Sequence, residues 1–466
     1  MKSSCSRGLR VIGSVAMSRV AQLALAGALQ ALGIAASAAV VPVSPAGGEK
    51  VALLPEAQKR IMSFATHEER LAEIRADNEK PEEERFYDKD RASKWRTSLP
   101  LKLEWRTTDG ETGPWKIMIG TSPDLAGASE TWINSQAALK MTLTEKSQTG
   151  EKVEGETHVY TYDMPRANLE VGRIYYWKIW SNVACKKFPH GCTMYAKCPF
   201  CGGRQAVASD VASFVTEDLP PRWIKLEGNV KNVRDIGGWK GLDGRRIRQG
   251  MVFRGQGLNN GSATGEKPGA SRMMVEDVKY LRDVLGIKTV LDLRTDLEAG
   301  GMTESPLGAS VSLVHRASPA YEGLFVVDEK SDSFNRHLCA DGKKAMAENF
   351  RLFCDRANYP IYFHCAGGAD RTGSLAYVLE GALGVSLHDA DVDWETTFYP
   401  GINEVGSTKD QWRSRQHFVD GLAAYGDADT PFTKRVELYL ADCGVTQDEI
   451  SRFRSIMLES AAAGVD

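Results

Sequence analysis

Apolar and polar residues alternate with a period of two in the part of the chain that runs from residue 98 to residue 217. The alternation is clear in residues 101–105, and it returns in residues 115–119 and 175–179. Such alternation is typical of strands that bury one face and expose the other. The pattern predicts a β-rich domain over residues 98–217.

The pattern changes after the Leu-Pro-Pro turn at residues 219–221. Apolar runs that read as buried strands, at 287–294 and 360–364, alternate with helical spacing at 276–285 and 341–357. Strands that alternate with helices predict a central, mostly parallel sheet flanked by helices. We therefore predict an α/β domain over residues 218–466, with ligands bound at the carboxyl ends of its strands.

The sequence pattern predicts two further segments in the N-terminal part of the chain. Residues 1–38 combine a cationic start, an Ala/Leu-rich apolar stretch and an Ala-Ser-Ala cleavage pattern, which is typical of a secretory signal peptide. Residues 39–97 begin as a linker and continue as a charged stretch with helical spacing, interpreted as a solvated helical arm.

Charge and hydropathy restrict the cellular locations and the kinds of partner that we expect for the protein. The net charge of −3 becomes −7 without residues 1–38, which carry four cations and no acidic residue. A mildly acidic protein has no attraction for nucleic acid, and no later stretch is apolar enough for a stable membrane span. We expect an exported protein, whether periplasmic, cell-surface or secreted.

A cysteine-rich insertion interrupts the β-rich domain at residues 183–204. Its Cys-Pro-x-Cys-Gly turn favours a structural zinc ion, and two disulfides in an exported protein are the alternative. Either arrangement would have a structural role, and we expect no cofactor beyond it. The predicted ligands are Cys185, Cys192, Cys198 and Cys201.

The strongest candidate for chemistry is the segment 363–373. A cysteine, Cys365, follows a buried strand, and a glycine-rich turn then leads into a helix. Such a turn directs backbone N–H groups and the positive end of the helix dipole at one anion. Arg371 adds a planar guanidinium suited to phosphate oxygens. The segment thus encodes a nucleophile and an oxyanion site together.

The β-rich domain resembles fibronectin type III domains, which implies an all-β sandwich. The resemblance rests on the stretch 169–175, where Val171 stands in place of the family's proline. It implies that Tyr175 is the tyrosine-corner residue and that Trp105 is a core aromatic. It implies no catalytic group.

The α/β domain resembles the cysteine-dependent protein tyrosine and dual-specificity phosphatases, and within them a bacterial branch. Three motifs occur in the order of that branch: Asn-Val-Arg-Asp-Ile-Gly-Gly at 232–238, Asp-Leu-Arg at 292–294, and His-Cys-x5-Arg-Thr-Gly at 364–373. The resemblance implies that Cys365 is the nucleophile and that Arg371 stabilises the transition state.

The resemblance also implies roles for the neighbours of Cys365. Thr372 would donate to the leaving sulfur and His364 would orient the loop. Asp370 is the first candidate for the general acid, with Asp328 and Asp332 on an upstream loop as alternatives. Further predicted substrate contacts are Ala366, Gly367, Gly368, Ala369 and Arg294, although Arg294 can equally brace the sheet through Asp292.

One departure from the branch bears on the substrate. Ala369 stands where many members have a lysine associated with phosphoinositide activity, so lipid phosphates are disfavoured. We expect hydrolysis of phosphotyrosine in a protein, or of a small phosphoester. An inositol-phosphate phosphatase similar to cysteine phytases is the alternative, and a non-catalytic surface protein that binds phosphate is an alternative of another class.

Overall fold

The structure is a computed structural model that describes residues 40–85, 98–107, 114–133, 139–143, 158–181, 207–317, 340–397, 415–416 and 418–460. The predicted signal peptide, the cysteine-rich insertion with its four cysteines, and the alternative acids Asp328 and Asp332 lie outside these residues. Within them, no helix is long and apolar enough to cross a membrane, and no cluster of three His, Cys, Asp or Glu side chains is arranged to hold a metal ion.

The strands are β1 (Val40–Ser44), β2 (Glu49–Val51), β3 (Leu101–Thr107), β4 (Trp115–Gly120), β5 (Ser129–Ile133), β6 (Lys140–Leu143), β7 (His158–Met164), β8 (Ile174–Ser181), β9 (Val207–Ala208), β10 (Ala212–Thr216), β11 (Arg222–Trp223), β12 (Arg234–Asp235), β13 (Val252–Gly255), β14 (Thr289–Asp292), β15 (Ser312–His315) and β16 (Ile361–His364). The helices are α1 (Glu56–Met62), α2 (His67–Asn78), α3 (Val275–Lys279, continued by a π-turn over Tyr280–Val284), α4 (Asp296–Ala299), α5 (Ala340–Leu352), α6 (Arg371–Ala382), α7 (Leu387–Glu395), α8 (Phe432–Asp442) and α9 (Gln447–Met457).

Two compact units share the chain. The first takes its described residues from the ranges 1–49, 103–162 and 175–214, and the second from 50–102, 163–174 and 215–466. The units therefore do not follow the consecutive boundaries 98–217 and 218–466 expected from the sequence.

The first unit is β-rich. Its strands form sheets of order β1-β3-β7-β6 and β10-β8-β4-β5, with β9 paired to β8. The sheets meet through aromatic side chains, because the ring of Trp115 on β4 lies 5.2 Å from Trp105 and 5.1 Å from Tyr160, both on the other sheet. Trp105 is fully buried, and Tyr175 stacks on Phe214. The fibronectin type III resemblance itself stays a prediction.

The second unit is built on a mixed sheet of order β11-β12-β13-β16-β14-β15. The pairs β13–β16, β16–β14 and β14–β15 are parallel, and β11–β12 and β12–β13 are antiparallel. This agrees with the α/β architecture expected from the sequence. The strand β16 lies in the middle of the parallel group, so its carboxyl end is enclosed by neighbours on both sides.

Alternation along the buried strands divides the core into two layers. On β16, Ile361 and Phe363 join the cluster that contains α5, α6, α8 and α9, whereas Tyr362 joins the cluster that contains Leu281 and Ile287 on the other face. The sheet is therefore covered on both faces, as expected for strands that read as continuous apolar runs.

The charged arm is part of the second unit. In α1 and α2, Ile61 and Ile74 are fully buried and belong to the same core cluster as the α/β sheet. The expectation of a solvated arm is therefore wrong for residues 56–78. The high charge of the arm concealed a few apolar positions that face the core.

Candidate active site

The residues from Cys365 to Asp370, called here the Cys365 loop, connect the end of β16 to the start of α6. The Cys365 side chain is only 2% exposed, whereas Gly367 is exposed. Because β16 is flanked by parallel strands, the Cys365 loop lies at the sheet edge where α/β proteins bind ligands.

The backbone of Gly368 fixes the shape of the Cys365 loop. Its φ of +70° is a left-handed conformation, and a Cβ atom at this position would overlap the carbonyl group of Gly255. The Gly368 carbonyl oxygen accepts hydrogen bonds from Asn232 Nδ2 at 3.0 Å and from Arg254 Nη2 at 3.1 Å. The Asn-Val-Arg-Asp motif thus holds the loop through its asparagine.

The next carbonyl is held from α7. Trp394 Nε1 donates a hydrogen bond to the Ala369 oxygen at 2.9 Å, and the same indole packs against Gly373, where a Cβ atom would not fit. Ala369 is buried in the main core cluster. Two consecutive carbonyl groups of the Cys365 loop therefore accept hydrogen bonds from side chains of neighbouring elements.

Arg371 is held by a partner that the sequence analysis missed. Its Nη1 and Nη2 atoms donate to the two carboxylate oxygens of Glu298 at 2.6 and 2.8 Å. Burial alone would lower the pKa of Arg371, but Glu298, Cys365 and Asp370 raise it, so the guanidinium stays charged. Glu298 is itself oriented by a capping box with Thr295, and this Thr-x-x-Glu pattern, directly after Asp-Leu-Arg, was the available signal.

Asp370 is the acidic group of the loop. It occupies the N-cap position of α6, yet its side chain makes no capping hydrogen bond. The side chain is 5% exposed, and Oδ1 has no hydrogen-bond partner among the described residues. Burial raises the pKa of Asp370 to about 7, against the opposing effects of Arg371 and Arg254. Its carboxyl group can therefore exchange a proton near neutral pH.

His364 and Thr372 flank the loop with buried polar groups. His364 Nδ1 lies 3.1 Å from the Cys365 carbonyl oxygen, a contact in which Nδ1 must carry the proton because a carbonyl only accepts. Burial lowers the pKa of His364, against the opposing effect of Asp292, so a neutral, orienting imidazole fits the geometry. The Thr372 hydroxyl is buried, with no hydrogen-bond partner in the described part of the chain.

Arg294 is placed differently from the predicted substrate contact. It is fully buried, and its Nε and Nη2 atoms donate to Asp292 at distances between 2.6 and 3.1 Å. Nη2 also donates to Asn259 Oδ1 at 3.0 Å. With its donors committed inside the protein, Arg294 braces the sheet end, and the substrate-binding prediction for it is corrected.

The comparisons with known proteins identify a family for the part of the chain that contains this site. Residues 224–459, slightly more than half of the chain, match the family described as "Tyrosine phosphatase family". A protein of Cupriavidus necator named "Putative tyrosine-protein phosphatase" is 31% identical over 173 residues, which is 34% of this chain. The chain spans 58% of the length of that relative. On the match over residues 224–459, the chain belongs to the tyrosine phosphatase family.

Proposed function

We propose that the protein is an exported, cysteine-dependent phosphatase that hydrolyses phosphomonoesters of the phosphotyrosine type through a phosphocysteine intermediate. Family membership supports phosphatase chemistry. The observation that carries the proposal is the loop that follows β16, where Cys365, an Arg371 locked to Glu298, and a buried Asp370 carboxyl group with no partner for Oδ1 among the described residues lie within seven consecutive residues.

In the first step, the Cys365 thiolate attacks phosphorus. The S–P bond forms while the bond from phosphorus to the ester oxygen breaks, and protonated Asp370 gives its proton to that departing oxygen. A pKa of about 7 leaves much of Asp370 protonated in weakly acidic solution. The leaving alcohol or phenol therefore departs neutral.

Arg371 and the start of α6 stabilise the charge on the transferred group. The guanidinium presents planar donors, and its bidentate contact with Glu298 fixes its orientation before substrate binds. The positive end of the α6 dipole favours an anion at the same place. Such preorganised charge is the usual means of catalysis in phosphoryl transfer.

In the second step, water attacks the phosphocysteine. Asp370, now a carboxylate, takes a proton from the water, and the S–P bond breaks to release inorganic phosphate. The Thr372 hydroxyl has no other partner among the described residues, so it is available to donate a hydrogen bond to the departing sulfur. The enzyme returns to its starting protonation state after one turnover.

Ala369 supports a substrate with a single phosphate group over a phosphoinositide. Its side chain is buried in the core and carries no charge, so the loop offers one cation fewer than it would with lysine at this position. A panel of a phosphotyrosine peptide, an aryl phosphate and inositol phosphates, assayed for phosphate release, separates these substrate classes. Equal or higher kcat/KM for inositol phosphates would favour the phytase-like alternative.

The direct test of the proposed chemistry is the variant Cys365→Ser. It should abolish phosphate release from an aryl phosphate, because a serine hydroxyl at the same position is a much weaker nucleophile. Cys443→Ser is the matched control, since Cys443 is a buried free cysteine that follows α8, and it should retain activity. Normal turnover by Cys365→Ser would end the proposal.

A further inference from the structure

We propose that Arg70 on α2, in the arm formed by α1 and α2, is a positioning residue that fixes the Cys365 loop through α7. The arm lies before residue 224, where the family match begins. The inference rests on the proposed function, since it concerns the loop assigned to phosphate transfer.

The connection begins with a buried ion pair between α2 and α7. Arg70 is 1% exposed, and its Nε and Nη2 atoms donate to the Glu395 carboxylate at 2.6 and 3.1 Å. The remaining Arg70 nitrogen, Nη1, donates to the Phe64 carbonyl oxygen at 2.9 Å, in the turn between α1 and α2. The planar fork of arginine thus bonds α7 on one side and its own turn on the other.

Glu395 collects additional donors at the C-terminal end of α7. His67 Nδ1 lies 3.2 Å and Arg415 Nη2 lies 3.0 Å from its Oε1 atom. Burial raises the pKa of Glu395, but the hydrogen bonds and charges of His67, Arg415 and Arg70 outweigh it and hold the pKa at about 2. A carboxylate that stays ionised at full burial depends on these donors, so α7 is anchored at this point.

The two residues that precede Glu395 hold the Cys365 loop. Trp394 donates to the Ala369 carbonyl oxygen, and Asp393 accepts from Arg254 Nη1 at 2.7 Å. Arg254 in turn donates to the Gly368 carbonyl oxygen. Any rotation or shift of α7 that follows loss of the Arg70–Glu395 pair is therefore transmitted to two consecutive peptide groups of the Cys365 loop.

Helix α1 makes a second connection to α7. Gln58 is fully buried, and its Oε1 atom accepts a hydrogen bond from Trp223 Nε1 at 3.0 Å. The Trp223 ring lies 5.2 Å from the guanidinium of Arg234, which donates to Asp393 at 2.7 Å. Both helices of the arm thus connect to α7 next to Trp394. A segment that only covered apolar surface would not need these polar contacts.

The test is a double-mutant cycle between Arg70→Met and Trp394→Phe in the full chain, with steady-state hydrolysis of an aryl phosphate and orthovanadate inhibition as readouts. Arg70→Met should lower kcat by about 10²-fold, the scale expected for misplacement of a catalytic group by about 1 Å. Orthovanadate should bind more weakly to the same variant. Because Arg70 acts in part through the contact that Trp394 makes with the loop, the double variant should lose less than the product of the two single losses.

The matched control is Arg75→Met, because Arg75 lies on the same helix with its side chain exposed. It should leave kcat and orthovanadate binding unchanged, so the double variant of Arg75→Met and Trp394→Phe should have the same kcat as Trp394→Phe alone. The inference is overturned if Arg70→Met lowers only the melting temperature while kcat, KM and orthovanadate affinity per folded molecule match wild type. Multiplicative losses in the double variant would overturn it as well.

Two measurements keep the test decisive. If Arg70→Met does not fold, Glu395→Gln, which keeps the size of the side chain and removes its charge, is judged by the same criteria. If the wild-type protein hydrolyses no phosphoester, the proposed function fails, whereas the present inference is still decided by calorimetric titration with orthovanadate. Weaker binding by Arg70→Met than by Arg75→Met supports it, and equal binding refutes it.

Discussion

Replacing Asp370 by asparagine should lower activity and raise stability. Both effects have the same cause, which is the loss of a buried carboxyl group that can ionise. The carboxyl group is buried without a hydrogen-bond partner for Oδ1 among the described residues, and its pKa is raised to about 7. An unfolded chain has an aspartate pKa of about 3.9. The folded protein therefore holds a proton between about pH 4 and pH 7 that the unfolded chain releases.

The size of the stability effect follows from this difference in pKa. About 3 pKa units at about 1.36 kcal/mol each give about 4 kcal/mol. Because the folded-state pKa lies above the unfolded value, this stability is present in full below about pH 4 and is lost as the pH rises to about 7. Asparagine stays neutral, so Asp370→Asn should gain up to about 4 kcal/mol over wild type between pH 4 and pH 8.

The activity should change in the other direction. Loss of a general acid costs about 10²–10⁴-fold in rate, and the loss should be largest for substrates with poor leaving groups, which need the proton most. The kcat/KM of wild type should fall as the pH rises through about 7, because only protonated Asp370 can act as the acid in the first step. Asp370→Asn should lack this decrease.

Urea unfolding at a series of pH values, together with pH–rate profiles for two aryl phosphates of different leaving-group pKa, measures both effects. Trp394→Phe is a useful comparison, because it disturbs the same loop without removing a titratable group. Two results would refute the reasoning for Asp370: a stability difference that does not change with pH, or full activity of Asp370→Asn on the poorer leaving group. The acid would then have to come from elsewhere in the chain.

Three further predictions concern the parts around Cys365. Glu298→Gln should weaken the hold on Arg371 and lower kcat/KM by about 10²-fold, measured with an aryl phosphate; an unchanged value would show that the pair is dispensable. Gly368→Ala should lower the free energy of unfolding, measured by heat or urea, by at least about 1–3 kcal/mol because of the positive φ at this position. The control Gly367→Ala, where an added Cβ atom meets open space, should change it by no more than about 0.5 kcal/mol. Equal losses of stability in the two variants would contradict this. Thr372→Val should slow the second step, so a burst of alcohol release should precede slow turnover in stopped-flow traces, and a single slow phase without a burst would count against that role.

The parts of the fold that could be predicted are those with a local signal. The apolar runs that became β14 and β16 and the helix α6 could be read because each has its own periodicity and turn. The position of Cys365 at the end of a parallel strand followed from the same pattern. These features depend on residues that are close together in the chain.

The parts that could not be predicted depend on distant partners. Arg70 and Glu395 are separated by 325 positions, and nothing in the charged arm distinguishes Arg70 from the exposed arginines around it. Arg294 was expected at the substrate because its position at a strand end is correct, yet Asp292 and Asn259 occupy its donors. Direction and partner of a long charged side chain are set by packing, which local spacing does not encode.

The most direct measurement is acid quenching of the protein during turnover of an aryl phosphate, followed by mass spectrometry of the peptide that contains Cys365. The proposed mechanism predicts a phosphoryl group on Cys365, increased in Thr372→Val and absent in Cys365→Ser. Continued phosphate release with no phosphoryl group on Cys365, or with one on another residue, would contradict the mechanism.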